Sequence, residues 1–460
     1  MGSELYDTRA RRVIWGLGDM SWYVRAWTTG AGLADLQLTE AEQGGTYDRV
    51  RPVQFLEFPA FFRTFGGLGP YTKLMAMVSG AVAHQAAVLD FPYDWRLPVR
   101  HNGGLLAAAA RRHLDRWRRH PAHERARRHH PDGRPAQLVF IAHSMGGLLV
   151  RQAHQEFTPL DDIRATITLG TPFYGAVKAT ALLNTGRGAP FPLPARRPLT
   201  AVLRPDADAG LAALAHSLPG VHDLLPTYRC LIDGDTARSL GPAEVEALGG
   251  DRRLAADSLA WHASVADVGL RGHRAVIGIE QPTAQSLRLA GGVVTVDERM
   301  YAGQSAGVSR PGDGTVYRDG AALKAAAVSE FAQQHAALAK TDSVLRKVRA
   351  TLTEHDPDHF GPPMGAGELS LAVTDVVTPL ETVTARVGGI DKPDDAVCRV
   401  EDAATGVTRR VGLVRRDGAI EADITLPAPG LYRVEVDGNG SAPTVDQFVL
   451  AIDPTLGAAS

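Results

Sequence analysis

The sequence predicts an α/β unit built on a parallel sheet, with an insertion above it and an all-β sandwich after it. Three observations carry that prediction. Short apolar runs alternate with helical patterns through the first ~350 residues. The alternation breaks between about Gly175 and Arg271. Helical signals stop after a Pro- and Gly-rich stretch at His355–Gly367.

Taken in order, Ala86–Phe91 reads as a strand and Gly104–Trp117 as an Ala- and Leu-rich helix. Gln137–Ile141 is a strand and Gly146–Phe157 a helix, while Ile163–Leu169 and Ala275–Ile279 are further β-branched runs. The turn-rich Gly188–Leu199 and the helical Leu211–Leu225 belong to the insertion, a cap spanning about 176–270. Gly291–Met300 has the pattern of a hairpin. The α/β domain is assigned to 1–354, the linker to 355–367 and the sandwich to 368–455.

In the last segment, Leu369–Val373, Glu381–Val387, Val397–Glu401, Arg409–Val414, Glu421–Leu426, Leu431–Val436 and Gln447–Ile452 are short strand candidates. Arg415-Arg416-Asp417-Gly418 is a hairpin signal. Strands at this spacing, with turns between, predict an immunoglobulin-like sandwich.

Composition narrows the partners. The 460 residues are 44% hydrophobic and 22% charged, which excludes a disordered or collagenous chain. Lys+Arg of 49 against Asp+Glu of 51 gives no reason to expect nucleic acid. Cys230 and Cys398 are too few for a disulfide framework and read as isolated thiols. Leu74 to Leu89 is uncharged but polar in places, and reads as a buried helix rather than a span, which needs ~20 apolar residues. No charged stretch followed by an apolar one opens the chain, so a cytoplasmic location is expected.

Arg111–His130 is rich in arginine and reads as a solvated helix end, with a contact surface for lipid phosphates as the other reading. Arginine neighbours disfavour a metal at His120, His123, His129 and His130, and no metal or organic cofactor is expected. Trp15, Trp22, Tyr23 and Trp27 read as ordinary packing, with an interfacial anchor as the alternative.

The sharpest chemical signal is Leu138-Val-Phe-Ile-Ala-His-Ser144-Met-Gly-Gly147. An apolar strand enters a tight turn and a helix leaves it, the context of a nucleophile elbow. The turn strains the serine backbone, so Ala142, Gly146 and Gly147 must be small. The helix N-terminus aims N–H groups at developing negative charge, with Met145 N–H as one oxyanion donor.

A serine alcohol needs a base, and the base a carboxylate to orient it. In this context the chain order is serine, acid, histidine. Asp313, between Gly312 and Gly314, is the candidate acid, and an ordinary Gly-Asp-Gly turn is the competing reading. His335, ahead of a helix through Arg349, is the candidate base. His143 is a rival by proximity, but the elbow would point it away from the hydroxyl.

Ala142-His-Ser144-Met-Gly-Gly, Phe91-Pro-Tyr-Asp-Trp-Arg96, Thr168-Leu-Gly-Thr-Pro-Phe173 and Gly312-Asp-Gly-Thr-Val316 occur in this order. Together they resemble the lecithin:cholesterol acyltransferase family, which includes lysosomal phospholipase A2 and phospholipid:diacylglycerol acyltransferases. The resemblance covers roughly residues 1–350. It implies an α/β-hydrolase fold, a triad of Ser144, Asp313 and His335, and transfer or hydrolysis of acyl chains from ester lipids through an acyl-serine. Asp94 and Arg96 are then scaffold. The opening Met1-Gly-Ser-Glu-Leu5 resembles the family's start without its first strand and Pro-Gly turn. The family's other oxyanion donor would then fall at or before Met1; the corresponding expectation is a truncated chain, whose missing segment could carry a secretion signal, with a crippled oxyanion hole as the alternative.

The expected function is a serine lipase, esterase or O-acyltransferase acting on an ester lipid, with at most transient contact with a membrane surface. Two rivals stand beside it: a non-catalytic lipid-binding or scaffold protein of the same fold, and an esterase for small soluble esters. No partner for the sandwich can be named from its residues.

Overall fold

The computed structural model describes residues 2–16, 31–55, 71–185, 205–234, 236–301, 307–354, 369–374, 376–438 and 444–451. Its centre is a four-stranded parallel sheet, in spatial order Ala327–Phe331, His273–Gly278, Ile163–Leu169 and Leu138–His143. The two inner strands are buried along nearly their whole length, because helices cover both faces of a parallel sheet. The Ala327–Phe331 strand lies at the edge, and Val328 is half exposed there.

Helices Val99–Arg118 and Gly146–Glu156 pack on one face, in the core that includes Phe140, Ala142 and Ile163. They approach so closely that a Cβ at Gly103 would lie 2.4 Å from Gln152 Cβ. Helices Thr72–Ala81 and Asp342–Thr353 cover the other face, where Leu74, Val344, Leu345 and Val348 meet Ile167, Leu169 and Val276.

Strands Ser3–Asp7, Arg12–Trp15 and Val50–Phe55 form a separate antiparallel sheet. It is tied to the rest by buried ions. Arg96 is fully buried between Asp94 (2.7 Å) and Glu42 (3.0 Å), and Arg49 links Glu42 (3.0 Å) to Asp7 (2.9 Å). Burial alone would depress the Arg96 pKa and raise that of Glu42. Hydrogen bonds and the opposite charges, the Thr39 N–H on Glu42 and Asp94 on Arg96 foremost, outweigh burial in both, so Arg96 is held above and Glu42 below its ordinary value. Trp15 packs edge-on against Trp95, with centroids 5.0 Å apart; Trp22, Tyr23 and Trp27 lie outside the described residues.

Between the strands Ile163–Leu169 and His273–Gly278 run helices Val177–Thr185, Pro205–His216, Pro242–Ala247 and Arg252–Ser264. A second sheet, in the order Val293–Asp297, Ser286–Ala290, Leu231–Asp233 and Thr236–Arg238, accompanies them. The Gly291-Gly292 turn closes its hairpin with both φ values positive, as a two-residue turn requires. The stretch expected as one helix over Leu211–Leu225 breaks at Pro219, where a new short helix starts.

Two other expectations are corrected. Ala86–Phe91 is not a strand: Gln85–Ala87 is a short 3₁₀ turn, and Val88 N–H closes that turn on Gln85 O instead of entering a ladder. The uncharged Leu74–Leu89 run is not one buried helix. Its helix ends at Ala81, and only Leu74 is fully buried in it. The ring nitrogens of His120 and His123 are engaged locally: His120 Nδ1 accepts from Ala122 N–H, and His123 Nδ1 and Nε2 meet Arg118 O and Ala136 N–H.

After residue 368 the described chain is β apart from a short 3₁₀ turn at Pro393–Asp395. One sheet runs Ser370–Ala372, Thr382–Gly388, Ala419–Thr425, Leu413–Arg416; the other runs Val376–Val377, Val445–Ala451, Gly430–Asp437, Val397–Asp402, Thr408–Val411. Their inner faces share one core, with Val383, Ala385 and Ile424 from the first meeting Cys398, Val434 and Val449 from the second. The Asp417-Gly418 turn has φ of 49° and 82° and pairs Arg416 with Ala419. The strand expected over Arg409–Val414 is two strands, because Thr408–Val411 pairs in one sheet and Leu413–Arg416 in the other. The expected linker, 355–367, lies outside the described residues.

Cys230 and Cys398 are buried and unpaired with each other; burial pushes their thiols up to about 12 and about 11. Among the described residues no helix is long and apolar enough to cross a membrane.

Candidate active site

Three loops at the carboxyl ends of the parallel strands converge, which is where open α/β sheets place their sites. The first leaves Leu138–His143 and carries Ser144, whose φ of 54° is the left-handed conformation that strains a non-glycine residue. Its N–H is tied to Leu169 O at 2.9 Å, which holds the turn. The helix begins at Gly146 with Met145 as its N-cap, and the Met145 side chain is buried.

The two elbow glycines are not equivalent. A Cβ on Gly146 would make ordinary contact, 3.7 Å from Ala142 Cβ. A Cβ on Gly147 would lie 2.0 Å from Thr171 Oγ1, inside another atom. Gly147 therefore sets how closely the helix approaches the neighbouring strand end.

Asp313 lies on the long connection that follows His273–Gly278, and its side chain is buried. Oδ1 accepts from Thr315 N–H (2.9 Å) and Val316 N–H (2.7 Å), which leaves Oδ2 free to face His335 Nδ1 at 2.7 Å. Thr283 Oγ1 accepts from Gly312 N–H and Gly314 N–H and so pins the residues on either side of the carboxylate.

His335 opens a short 3₁₀ turn after the edge strand Ala327–Phe331, and its N–H donates to Asp313 O at 2.8 Å. Its Nε2 lies 2.8 Å from Ser144 Oγ. An ionised carboxylate only accepts, so Nδ1 carries the ring proton and Nε2 accepts from the serine hydroxyl. The arrangement can move a proton from Ser144 to an imidazole whose developing charge faces a buried anion.

The sequence-derived Ser144, Asp313 and His335 are thus brought together, although 22 residues separate the last two and 191 the histidine from the serine. His143, the rival base, does not reach the hydroxyl. Its Nε2 meets His335 O at 2.9 Å and its Nδ1 meets Tyr71 OH at 3.0 Å. The carbonyl only accepts, so Nε2 carries the proton and Nδ1 accepts from the phenol. Burial, helped by the neighbouring His335, pushes the His143 pKa down to about 3. The second oxyanion donor, expected at or before Met1, lies outside the described residues.

Sequence reasoning missed Gly170. It ends the strand beside the elbow with φ of 56°, directly under the acid–base pair. A Cβ there would lie 2.7 Å from Asp313 Oδ2 and 3.1 Å from His335 Nδ1. The motif Thr168-Leu-Gly-Thr-Pro-Phe173 contained the signal, because a glycine between a strand and a Thr-Pro turn marks a close approach of backbone.

Residues 71–197 match the family model described as lecithin:cholesterol acyltransferase. No curated protein matches the chain. Among solved structures, a chain of the Tle4–Tli4 complex is 14% identical, over 77% of this chain and 95% of that chain, with a TM-score of 0.43. The propeptide form of the Bacillus licheniformis lipase BlEst2 is 13% identical, over 79% of this chain and 66% of that chain, with a TM-score of 0.28.

Proposed function

We propose that this chain, related to the lecithin:cholesterol acyltransferase family through residues 71–197, is a serine-dependent lipid acyl hydrolase or O-acyltransferase that works through an acyl-serine. One observation carries the reading: Ser144, held in a strained elbow, His335 and the buried Asp313 are joined by contacts of 2.8 and 2.7 Å.

Ser144 Oγ attacks the carbonyl carbon of the ester as His335 Nε2 takes its proton. Asp313 stabilises the resulting imidazolium and keeps its Nδ1–H oriented. Met145 N–H, at the helix N-terminus, donates to the tetrahedral oxyanion. The C–O bond to the alcohol breaks, and the alcohol leaves with the proton from His335. Water or a second alcohol then gives a proton to His335 and attacks the acyl-serine, the bond to Ser144 Oγ breaks and His335 returns the proton to that oxygen, so hydrolysis and transfer differ only in the second nucleophile.

The helices between residues 176 and 270 act as the cap, together with strands Leu231–Asp233 and Thr236–Arg238, which share a sheet with the later hairpin Ser286–Ala290 and Val293–Asp297. We read the C-terminal unit as immunoglobulin-like. Support comes from its sheet order, in which the chain's first strand segment pairs into one sheet and the next joins the other in parallel with the last strand. Tyr432 OH, bonded to Ala428 O at 2.9 Å four residues upstream, has the geometry of a tyrosine corner.

A fluorophosphonate probe tests the chemistry. Labelling of the wild type that is lost in Ser144→Ala supports the enzyme; a wild type that does not label points to the non-catalytic reading. A series of p-nitrophenyl esters tests the substrate class, and preference for short acyl chains rejects the lipid.

A further inference from the structure

The residues just before His335 are two glutamines, Gln333 and Gln334, and five residues after it stands Lys340. None of the three contacts the serine in the chemistry above. All three reach out of the α/β unit into the C-terminal sandwich. Gln333 Nε2 donates to Thr444 O (3.0 Å), and Gln334 Nε2 donates to Leu371 O (2.6 Å). Lys340 Nζ pairs with Asp446 Oδ2 (2.5 Å) and lies 4.7 Å from the centre of the Phe448 ring. The ion pair is largely shielded, at 10% and 14% exposure.

The loop of the acid is bound to the same surface through Gln281, which is fully buried. Its Nε2 donates to Leu369 O (3.0 Å), while its Oε1 accepts from Leu371 N–H (3.2 Å) and from Gln334 Nε2 (3.1 Å). Its backbone N–H donates to Gly312 O (2.9 Å), and its carbonyl accepts from the Thr283 hydroxyl that pins Gly312 and Gly314. One residue therefore ties together the loop of Asp313, through its backbone, and the loop of His335 and the first strand of the sandwich, through its side chain.

A module that merely hung from a linker would meet its neighbour through rim contacts at arbitrary places. Here the contacts fall on residues adjacent to the acid and the base. They come from strands Ser370–Ala372 and Val445–Ala451, which belong to different sheets of the sandwich. Because His335 sits beyond an edge strand, no further strand of the parallel sheet, among the described residues, supports its loop from that side. Proton transfer is sensitive to such placement: an error of about 1 Å can cost about 10²-fold in rate.

We infer that the C-terminal sandwich is a built-in positioning unit, which through Gln281, Gln333, Gln334 and the Lys340–Asp446 pair holds His335 and Asp313 in register with Ser144. The inference rests on the proposed serine chemistry and adds to it a role for the appended domain. Gln281, Gln333, Gln334 and Lys340 are positioning residues, since they act on the acid–base pair through the backbone.

The test uses the full chain carrying Gln334→Ala, Lys340→Ala, Asp446→Ala or the exchanged pair Lys340→Asp with Asp446→Lys. The readouts are the rate of fluorophosphonate labelling, kcat and KM on a p-nitrophenyl ester, and the melting temperature. Gln334→Ala is expected to label about 10-fold more slowly, with kcat reduced in proportion and KM within about twofold. The single latch variants should lose about threefold, and the exchanged pair should regain at least half of that loss. Wild-type labelling rates and kcat in variants that only melt earlier would overturn the inference and leave the sandwich a stabiliser. Should Gln334→Ala not fold, the more peripheral latch variants decide by the same criteria. A wild type that does not label removes the serine chemistry itself, and is read without any variant.

Discussion

His143 holds the backbone of His335: its ring Nε2–H donates to the His335 carbonyl at 2.9 Å, while Tyr71 OH donates to its other nitrogen. In the proposed chemistry, the residue next to the serine thus supports the base without being one. His143→Leu is expected to lower kcat about 10-fold, because the carbonyl loses its donor and the base its rest position. The pH profile should keep its shape. A pKa near 3 leaves His143 neutral throughout the range in which an enzymatic base titrates. A limb between pH 5 and 8 that disappears in this variant would show His143 to be a titrating participant.

The elbow glycines should respond in opposite ways. Gly146→Ala places a methyl in ordinary contact and improves a helix position, so it should keep activity and gain about 0.5–1 kcal/mol. Gly147→Ala drives a carbon onto buried Thr171 and should cost about 3 kcal/mol with most of the activity. Denaturant titration of both variants checks the pair, and equal effects would contradict the packing argument.

Removing Arg96 should unfold the α/β unit readily. Arg96→Met leaves Asp94 and Glu42 buried, with Glu42 keeping Arg49 and the Thr39 hydrogen bonds and Asp94 losing its cation. Breaking such a pair from one side costs about 3–5 kcal/mol. A urea midpoint within the error of the wild type would mean that water or relaxation satisfies the carboxylates.

Acid should destabilise the fold before the ordinary carboxylates protonate. Burial lowers His143 to about 3 and both His262 and His273 to about 4. Each is neutral when folded but takes up a proton near pH 6.5 when unfolded. The unfolded state therefore binds more protons below pH 6.5, and stability falls as pH falls, by about 1.4 kcal/mol per pH unit for each histidine. Asp223 opposes this: burial raises it to about 6, so its folded form gains a proton between pH 6 and 4, where the unfolded form is still ionised. The histidines lowered by burial, which also include His101, His154 and His222, outnumber the carboxyls raised by it, Asp223, Glu4 and Glu298. The melting temperature should drop from pH 6.5 to 4.5 with net proton uptake on unfolding, and a flat or rising curve would refute the assignment.

Legibility in the sequence followed locality. Strand, turn and helix around Ser144 were readable because the elbow is contiguous and its small residues are demanded by its own backbone. The C-terminal strands were readable from period-two patterning and turns such as Asp417-Gly418. Ala86–Phe91 misled because an apolar, extended run is a strand only if a neighbour takes up its hydrogen bonds. Gly170 and Gln281 were overlooked because what makes them matter, the acid–base pair above one and the sandwich against the other, is far away in the chain.

By itself, the sequence determined the chemistry on offer: a serine in a tight turn, an acid between glycines, a histidine in the right chain order, and an appended all-β segment. Only the tertiary structure decided that His143 faces a carbonyl rather than the hydroxyl, that Gly147 rather than Gly146 bears the steric demand, and that the sandwich grips the loops of Asp313 and His335. The reason is physical. Backbone propensity and patterning act over a few residues, whereas hydrogen-bond partners and close approaches are set by which surfaces meet when the cores form.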